Sequence, residues 1–246
     1  MKDKNQTNKT VLVLGANSDV AKQAIILYIK AGHKVIAASR STNELNIFRQ
    51  QQGFENDKCI VQYFDATAFE THQQFYNNLP FKPAIVLYAA GFLKDNEAAM
   101  LDWESSFQMM KVHYCGAVSI LNIIATDNSN TELEKIIGLS SLSGLRGRKS
   151  NFIYGSTKSA FTQYLAGLRQ YLFPRNIKVH VIVAGYIRSK MTAGLNLPES
   201  LMLEPAFIAK TVVDTPTRFM IVPGFKWKMI YAILKMMPEQ LVARLP

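Results

Sequence analysis

Three side chains carry the chemical suggestion of this sequence. Tyr154 and Lys158 stand four apart in Tyr-Gly-Ser-Thr-Lys, at the start of a helix-like stretch. That spacing puts both on one helix face, one turn apart. An ammonium beside a phenol favours the phenolate and lowers its pKa. A tyrosine tuned toward working pH can pass a proton to or from a carbonyl or alcohol oxygen. Thirteen residues before Tyr154 comes Ser141, in the stretch Gly138–Gly144 (GLSSLSG), just past a strand-like run. Open α/β sheets place their ligands at that end of a strand, and a hydroxyl there can polarise the reacting oxygen. Many helices contain a Tyr-x-x-x-Lys pair by chance. The pair with this serine, in a nucleotide-type fold, is far more specific.

A second set of residues suits a nucleotide. Gly15–Ala21 (GANSDVA) joins the first strand to the first helix, where helix N-terminal N–H groups point at a phosphate. Gly15, Asn17, Ser18, Asp19 and Val20 are the candidates here. Only Gly15 is a glycine in that turn, whereas the common dinucleotide fingerprint has three. Arg40 directly follows the second strand, preceded by Ser39. An acidic residue near this point would hold a ribose 2′-OH, whereas an arginine suits a 2′-phosphate, which favours NADP(H) over NAD(H). A plain strand-end charge is the alternative for Arg40. Asp65, between Phe64 and Ala66, can accept from an adenine amine or cap the helix that follows.

The elements that must position these groups follow from the hydropathy pattern. Short apolar runs at Thr10–Leu14, Lys34–Ser39, Ile60–Phe64, Ala84–Tyr88, Lys135–Leu139, Lys178–Val183 and Phe219–Val222 read as strands. Helical stretches at about 18–31, 42–52, 69–79, 103–127 and 151–173 lie between them. Strands apolar throughout and separated by helices indicate a parallel sheet covered on both faces. The fold class is therefore α/β, a doubly wound Rossmann fold with a seven-stranded parallel sheet. Residues 188–216 read as a loop-helix insertion over the sheet edge. Residues 1–9 are a polar lead-in expected to be disordered, 10–224 the nucleotide-binding domain, and 225–246 an amphipathic helical tail.

Composition narrows the class. The chain has 246 residues and two cysteines, and 48% of it is hydrophobic, enough for a full core. Cys59 and Cys115 sit in no metal-binding pattern and read as small core residues, so no metal is expected. No secretory signal is visible and no uninterrupted apolar run approaches a membrane span. The chain is expected in the cytoplasm or on the cytoplasmic face of the membrane. The formal charge of +10 suits an anionic partner or solubility alone. No nucleic-acid-binding motif is present.

On these residues the chain resembles the short-chain dehydrogenase/reductase family from about Lys9 to Gly224. The resemblance implies hydride transfer with a nicotinamide cofactor, with Ser141, Tyr154 and Lys158 in the roles above and Lys158 also on the nicotinamide ribose. By resemblance, Leu87–Gly91 (LYAAG) places Ala90 and Gly91 beside the cofactor, Ala66 follows Asp65 there, and Ala184–Thr192 (AGYIRSKMT) brings Gly185, Ile187 and Ser189 to the nicotinamide. His113 stands where the family usually has an asparagine in the proton path. It reads equally as a proton relay or as a packed ring. Asp19 and Ala21 replace the second and third glycines of the family's turn. Tyr88 and Ala89 replace two asparagines, and Ala184 a proline. Such proteins commonly form homo-oligomers through the helices at about 103–127 and 151–173.

The tail, Phe225–Pro246 (FKWKMIYAILKMMPEQLVARLP), is apolar, aromatic and basic. Trp227 and Tyr231 are interface-type residues, so the tail reads as a peripheral membrane contact or as a helix packed on its own domain or a second subunit. Together with the GANSD turn and the AGYIRSKMT segment it is loosely similar to keto-reductases that partner polyprenyl-phosphoryl ribose epimerases. That resemblance implies a hydrophobic or lipid-linked keto-sugar substrate. Met191, Leu195, Leu197, Leu201 and Met202 are expected to make an apolar lid wall. The competing reading is a non-catalytic NADP(H)-binding regulator or scaffold, favoured by the altered turn, Tyr88 and His113.

Overall fold

The computed structural model describes residues 8–244. Seven strands, β1 (Thr10–Leu14), β2 (Lys34–Ser39), β3 (Cys59–Tyr63), β4 (Ile85–Tyr88), β5 (Lys135–Ser141), β6 (Lys178–Ala184) and β7 (Met220–Ile221), form one parallel sheet in the order β3-β2-β1-β4-β5-β6-β7. This is the expected doubly wound architecture. Alternate residues of β1 show why it is buried on both faces. Val11 and Val13 join one apolar layer, and Leu12 and Leu14 join the other. The strand order reverses between β1 and β4, which opens a crevice at their carboxyl ends.

Helices α1 (Asp19–Lys30), α2 (Thr42–Gln51), α3 (His72–Asn77), α4 (Asn96–Leu101), α5 (Trp103–Met110), α6 (Gly116–Thr126), α7 (Phe152–Leu172), α8 (Pro205–Val213), α9 (Phe225–Met236) and α10 (Glu239–Val242) cover the sheet. The single helix read over 103–127 is α5 and α6 joined by a π-turn, Lys111–Cys115. By length and composition alone it could cross a membrane, but half of its apolar window is buried inside the domain, as in a core helix. The 188–216 insertion does not lie over the sheet edge. Its helix α8 packs on α1, and Ile208, Ala209 and Val212 complete the layer that includes Val11 and Val13.

Both ends of the chain correct the expected domain limits. Residues 1–7 of the lead-in lie outside the described residues, but Lys9 already belongs to the fold. Its carbonyl accepts from Lys34 N–H at 3.0 Å, and its ammonium lies 2.5 Å from Glu134 Oε2. The tail is not a separate appendage either. Trp227, Ile230, Tyr231 and Leu234 form the inner face of α9 and pack on the core layer that includes Leu12 and Leu14. Trp227 is 4% exposed and so cannot anchor in a bilayer from this position. Arg146 fixes the end of α9 by donating to the carbonyls of Leu234 (3.1 Å) and Lys235 (3.1 Å). The outer face of α9 exposes Phe225, Met229, Ile233 and Met236.

Candidate active site

Every candidate site residue except His113 lines one cavity of about 620 Å³ at the carboxyl ends of the strands. At its nucleotide end, Gly15 has φ +81°, and a Cβ there would stand 2.3 Å from Ala90 N. Glycine is therefore required twice over, by conformation and by the close approach of the loop after β4. Ser18 caps α1, accepting from Ala21 N–H at 3.4 Å. Asn17 donates through Nδ2 to Ser39 Oγ (3.0 Å) and to the Ser41 carbonyl (2.9 Å). Its Oδ1 is buried with no partner among the described residues. Arg40 is exposed at the cavity rim.

Asp65 caps the turn that follows it and lines the cavity beside Ala66. Its Oδ1 accepts from Thr67 N–H and Thr67 Oγ1, each at 2.8 Å. His72 steadies it, with Nε2 2.8 Å from the Asp65 carbonyl. Asp19, the first residue of α1, lines the cavity and is held by the segment after β6. Its Oδ2 accepts from Lys190 N–H at 2.7 Å, while Lys190 and Lys22 both pair with Glu44 (2.8 and 2.6 Å). The residue that replaces a family glycine thus ties the segment after β6 to α1.

At the reaction end, Ser141 closes β5 rather than following it. Its Oγ accepts from Ser143 N–H at 3.2 Å. The loop after it lies directly on α7: a Cβ on Gly155 would stand 2.6 Å from the Ser143 carbonyl, and one on Gly144 2.7 Å from Ser159 N. These glycines bring Ser141 against Tyr154. Lys158 is one turn further along, its Nζ 5.8 Å from the Tyr154 ring centroid and donating to the Leu139 carbonyl at 3.1 Å.

The expected lowering of the Tyr154 pKa by Lys158 does not appear. Burial pushes the phenol up to about 12, against the downward pull of a hydrogen bond with Ser141. Burial likewise lowers Lys158 to about 8. The lysine faces a strand carbonyl rather than the phenolic oxygen, so desolvation outweighs the attraction between the two groups.

His113 lies behind the cavity, fully buried in the π-turn. Its Nε2 accepts from Phe92 N–H at 3.0 Å, and its Nδ1 lies 2.8 Å from Thr157 Oγ1. Because Nε2 accepts and the Thr157 hydroxyl donates to the Tyr154 carbonyl (2.8 Å), Nδ1 carries the proton. Burial, reinforced by the Lys158 charge, holds the ring well below the usual histidine range. It stands edge-on to Tyr154, 5.2 Å between centroids. Both ring nitrogens are hydrogen-bonded within the protein, and the ring packs against the tyrosine.

The segment after β6 closes the cavity. Tyr186 and Arg188 pair with Leu203 through backbone bonds of 2.9 Å, and Ser189 forms a capping box with Thr192. Gly185 owes its glycine to the tail, since a Cβ would lie 2.0 Å from the Trp227 ring. Of the expected lid wall, Met191, Leu195 and Leu197 line the cavity. Leu201 instead packs on the core beside α9, and Met202 is absent from the lining. Lys94, Asn96 and Asn151 also line the cavity, and no motif in the sequence singles them out. The asparagines lie next to helix starts, where capping is the ordinary reading.

A family model described as short chain dehydrogenase matches residues 9–200. An uncharacterized oxidoreductase of Myxococcus xanthus is 24% identical over 80% of this chain and 79% of its own. One of Mycobacterium tuberculosis is 22% identical over 96% of both chains. A crystal structure of a short chain dehydrogenase from Burkholderia cenocepacia in complex with NADP is similar at TM-score 0.81 and 18% identity, covering 97% of this chain and 98% of that one.

Proposed function

The chain belongs to the short-chain dehydrogenase family of oxidoreductases, and from that premise we propose that it transfers hydride between NADP(H) and a carbonyl or alcohol substrate. The observation that carries this reading is that Ser141, Tyr154 and Lys158 meet at one end of a cavity whose other end is Gly15, Asn17 and Arg40.

The residues present fit the cofactor. The turn at Gly15 leaves no room for a side chain, Asn17 lines the cavity with a buried Oδ1 that has no partner among the described residues, and Arg40 offers a guanidinium at the rim, the donor set for a 2′-phosphate. A similar fold with 18% identity was solved with NADP, which supports the same choice. When bound, the nicotinamide supplies the hydride chemistry.

The protein's own part is positioning and proton transfer. In the reductive direction Ser141 Oγ donates a hydrogen bond to the substrate oxygen, and the Tyr154 hydroxyl delivers the proton to it as the carbonyl becomes an alcohol. Lys158 stabilises the phenolate left behind, and His113 holds the ring of Tyr154. Met191, Leu195 and Leu197 give the outer cavity an apolar wall, which supports a substrate with an apolar portion. A keto-sugar on a lipid carrier is one such compound.

The test is a fluorescence titration of wild type and Arg40→Ala with NADPH and NADH, with NADPH oxidation in the presence of a dicarbonyl. NADPH binds more tightly than NADH, and Arg40→Ala closes the gap. Tight NADPH binding without turnover of any ketone would favour a nucleotide-binding regulator. Binding of neither nucleotide would end the enzyme reading.

A further inference from the structure

Asn151 occupies the N-cap of α7, where an asparagine ordinarily turns its side-chain oxygen onto the first-turn N–H groups. Here its side chain makes no such bond. The Ile153 N–H donates instead to Asn96 Oδ1 at 3.1 Å, from α4. Asn96 is itself buried, with Nδ2 3.5 Å from the Lys149 carbonyl. Relieved of capping, Asn151 donates through Nδ2 to Ser143 Oγ at 3.0 Å. Ser143 N–H in turn donates to Ser141 Oγ. This leaves Asn151 Oδ1 buried with no partner among the described residues, in a residue that lines the cavity shared with Ser141 and Tyr154.

A buried amide oxygen without a donor is costly and calls for an explanation in a folded protein. Asn17 Oδ1 shares that condition at the nucleotide end of the cavity. Asn151 Oδ1 lies at the opposite end, tied through Ser143 to the serine that faces the reacting oxygen. An amide oxygen can only accept, so it selects a donor.

We propose that Asn151 determines substrate specificity: its Oδ1 accepts a hydrogen bond from a substrate hydroxyl near the reacting carbonyl. The preferred substrates are then hydroxylated ketones, such as ketoses or smaller hydroxyketones, over ketones without the hydroxyl. This inference rests on the reductase reading and narrows it.

The experiment compares hydroxyacetone, methoxyacetone and butanone with NADPH, in wild type, Asn151→Leu and Asn151→Asp. Wild type shows kcat/KM for hydroxyacetone higher by about tenfold or more, the usual reward for pairing an otherwise unpaired buried group. Asn151→Leu loses that preference, falling on hydroxyacetone by about tenfold more than on butanone, beyond any loss common to all three through the Ser143 tie to Ser141. Asn151→Asp, which keeps an acceptor, retains it. The cap of α7 comes from Asn96, so folding survives either change, checked by melting. Equal kcat/KM for all three ketones in wild type, a preference for methoxyacetone (an amide turned the other way), or an equal loss on all three in Asn151→Leu would each overturn the assignment. Calorimetric binding of the same ketones without cofactor separates the two readings. Tighter binding of hydroxyacetone that Asn151→Leu abolishes, with no turnover of any ketone, upholds the role of Asn151 and refutes the reductase. Equal binding of all three, with turnover intact but unselective, refutes the role of Asn151 alone.

Discussion

Replacing Trp227 with alanine tests whether the C-terminal helix belongs to the core. The indole is 4% exposed, donates from Nε1 to the Leu201 carbonyl at 2.8 Å, and stands edge-on to Tyr186 with centroids 5.0 Å apart. Emptying such a site costs about 3–5 kcal/mol. At about 2–4 °C per kcal/mol for a chain of this size, the melting temperature falls by about 6–20 °C. Trp227→Phe keeps a ring but leaves the Leu201 carbonyl without its donor, a loss of about 1–3 kcal/mol. Gly185 supplies an internal control, because its added Cβ would lie 2.0 Å from the indole. Gly185→Ala alone overpacks the site by about 1–3 kcal/mol. On the Trp227→Ala background the methyl enters the space left behind, and its cost falls close to zero. Thermal unfolding of the four proteins closes a double-mutant cycle, and a coupling of about 1 kcal/mol or more marks direct contact. A melting temperature for Trp227→Ala within about 2 °C of wild type, too small for a lost core indole, would refute the docking of α9, and so would an additive cycle.

Three further outcomes follow from the site. Tyr154→Phe removes the proton donor and leaves the ring against His113, so turnover falls by about 10²–10⁴-fold with NADPH affinity nearly unchanged; residual turnover above about a tenth of wild type would exclude the phenol as the acid. Lys158, lowered to about 8 by burial, is charged below that value. In the free protein kcat/KM therefore falls as pH rises through about 8, and a profile flat to pH 10 would remove the need for its charge. All four histidines of the chain, His33, His72, His113 and His180, are lowered chiefly by burial. The unfolded chain then binds more protons than the fold below the ordinary histidine pKa of about 6.5. Stability is lost as pH falls from there, by about 1.4 kcal/mol per pH unit for each histidine still neutral. Urea midpoints unchanged between pH 7 and 5 would contradict that burial.

The parts legible in the sequence were those set by local pattern. Strands such as Thr10–Leu14 are apolar on both faces because both faces of a parallel strand are covered, and that property shows in four consecutive residues, Val11–Leu14. Tyr154 and Lys158 share a face by helix geometry alone. The short helix Asn96–Leu101 was hidden for the opposite reason. Six residues hardly form a helix unaided, and this one is held by tertiary contact, including its Asn96 bond to Ile153 N–H. Trp227 carried two meanings, interface anchor or core residue. The choice between them rests on Gly185, which lies forty-two positions earlier and has no side chain to announce the contact.

Charge state was the least legible property, and Tyr154 shows why. Spacing brings an ammonium near the phenol, and that alone would lower the phenol's pKa. The fold adds what spacing cannot see: a carbonyl at Leu139 that takes the ammonium's hydrogen bond, and enough cover to push the phenol to about 12 and the lysine to about 8. The two shifts move the pair toward neutrality together, as desolvation demands of any ionisable pair closed off from water. The buried phenol is thus held protonated, the form that the proposed reduction needs to deliver a proton, while Lys158 keeps its charge only below about 8.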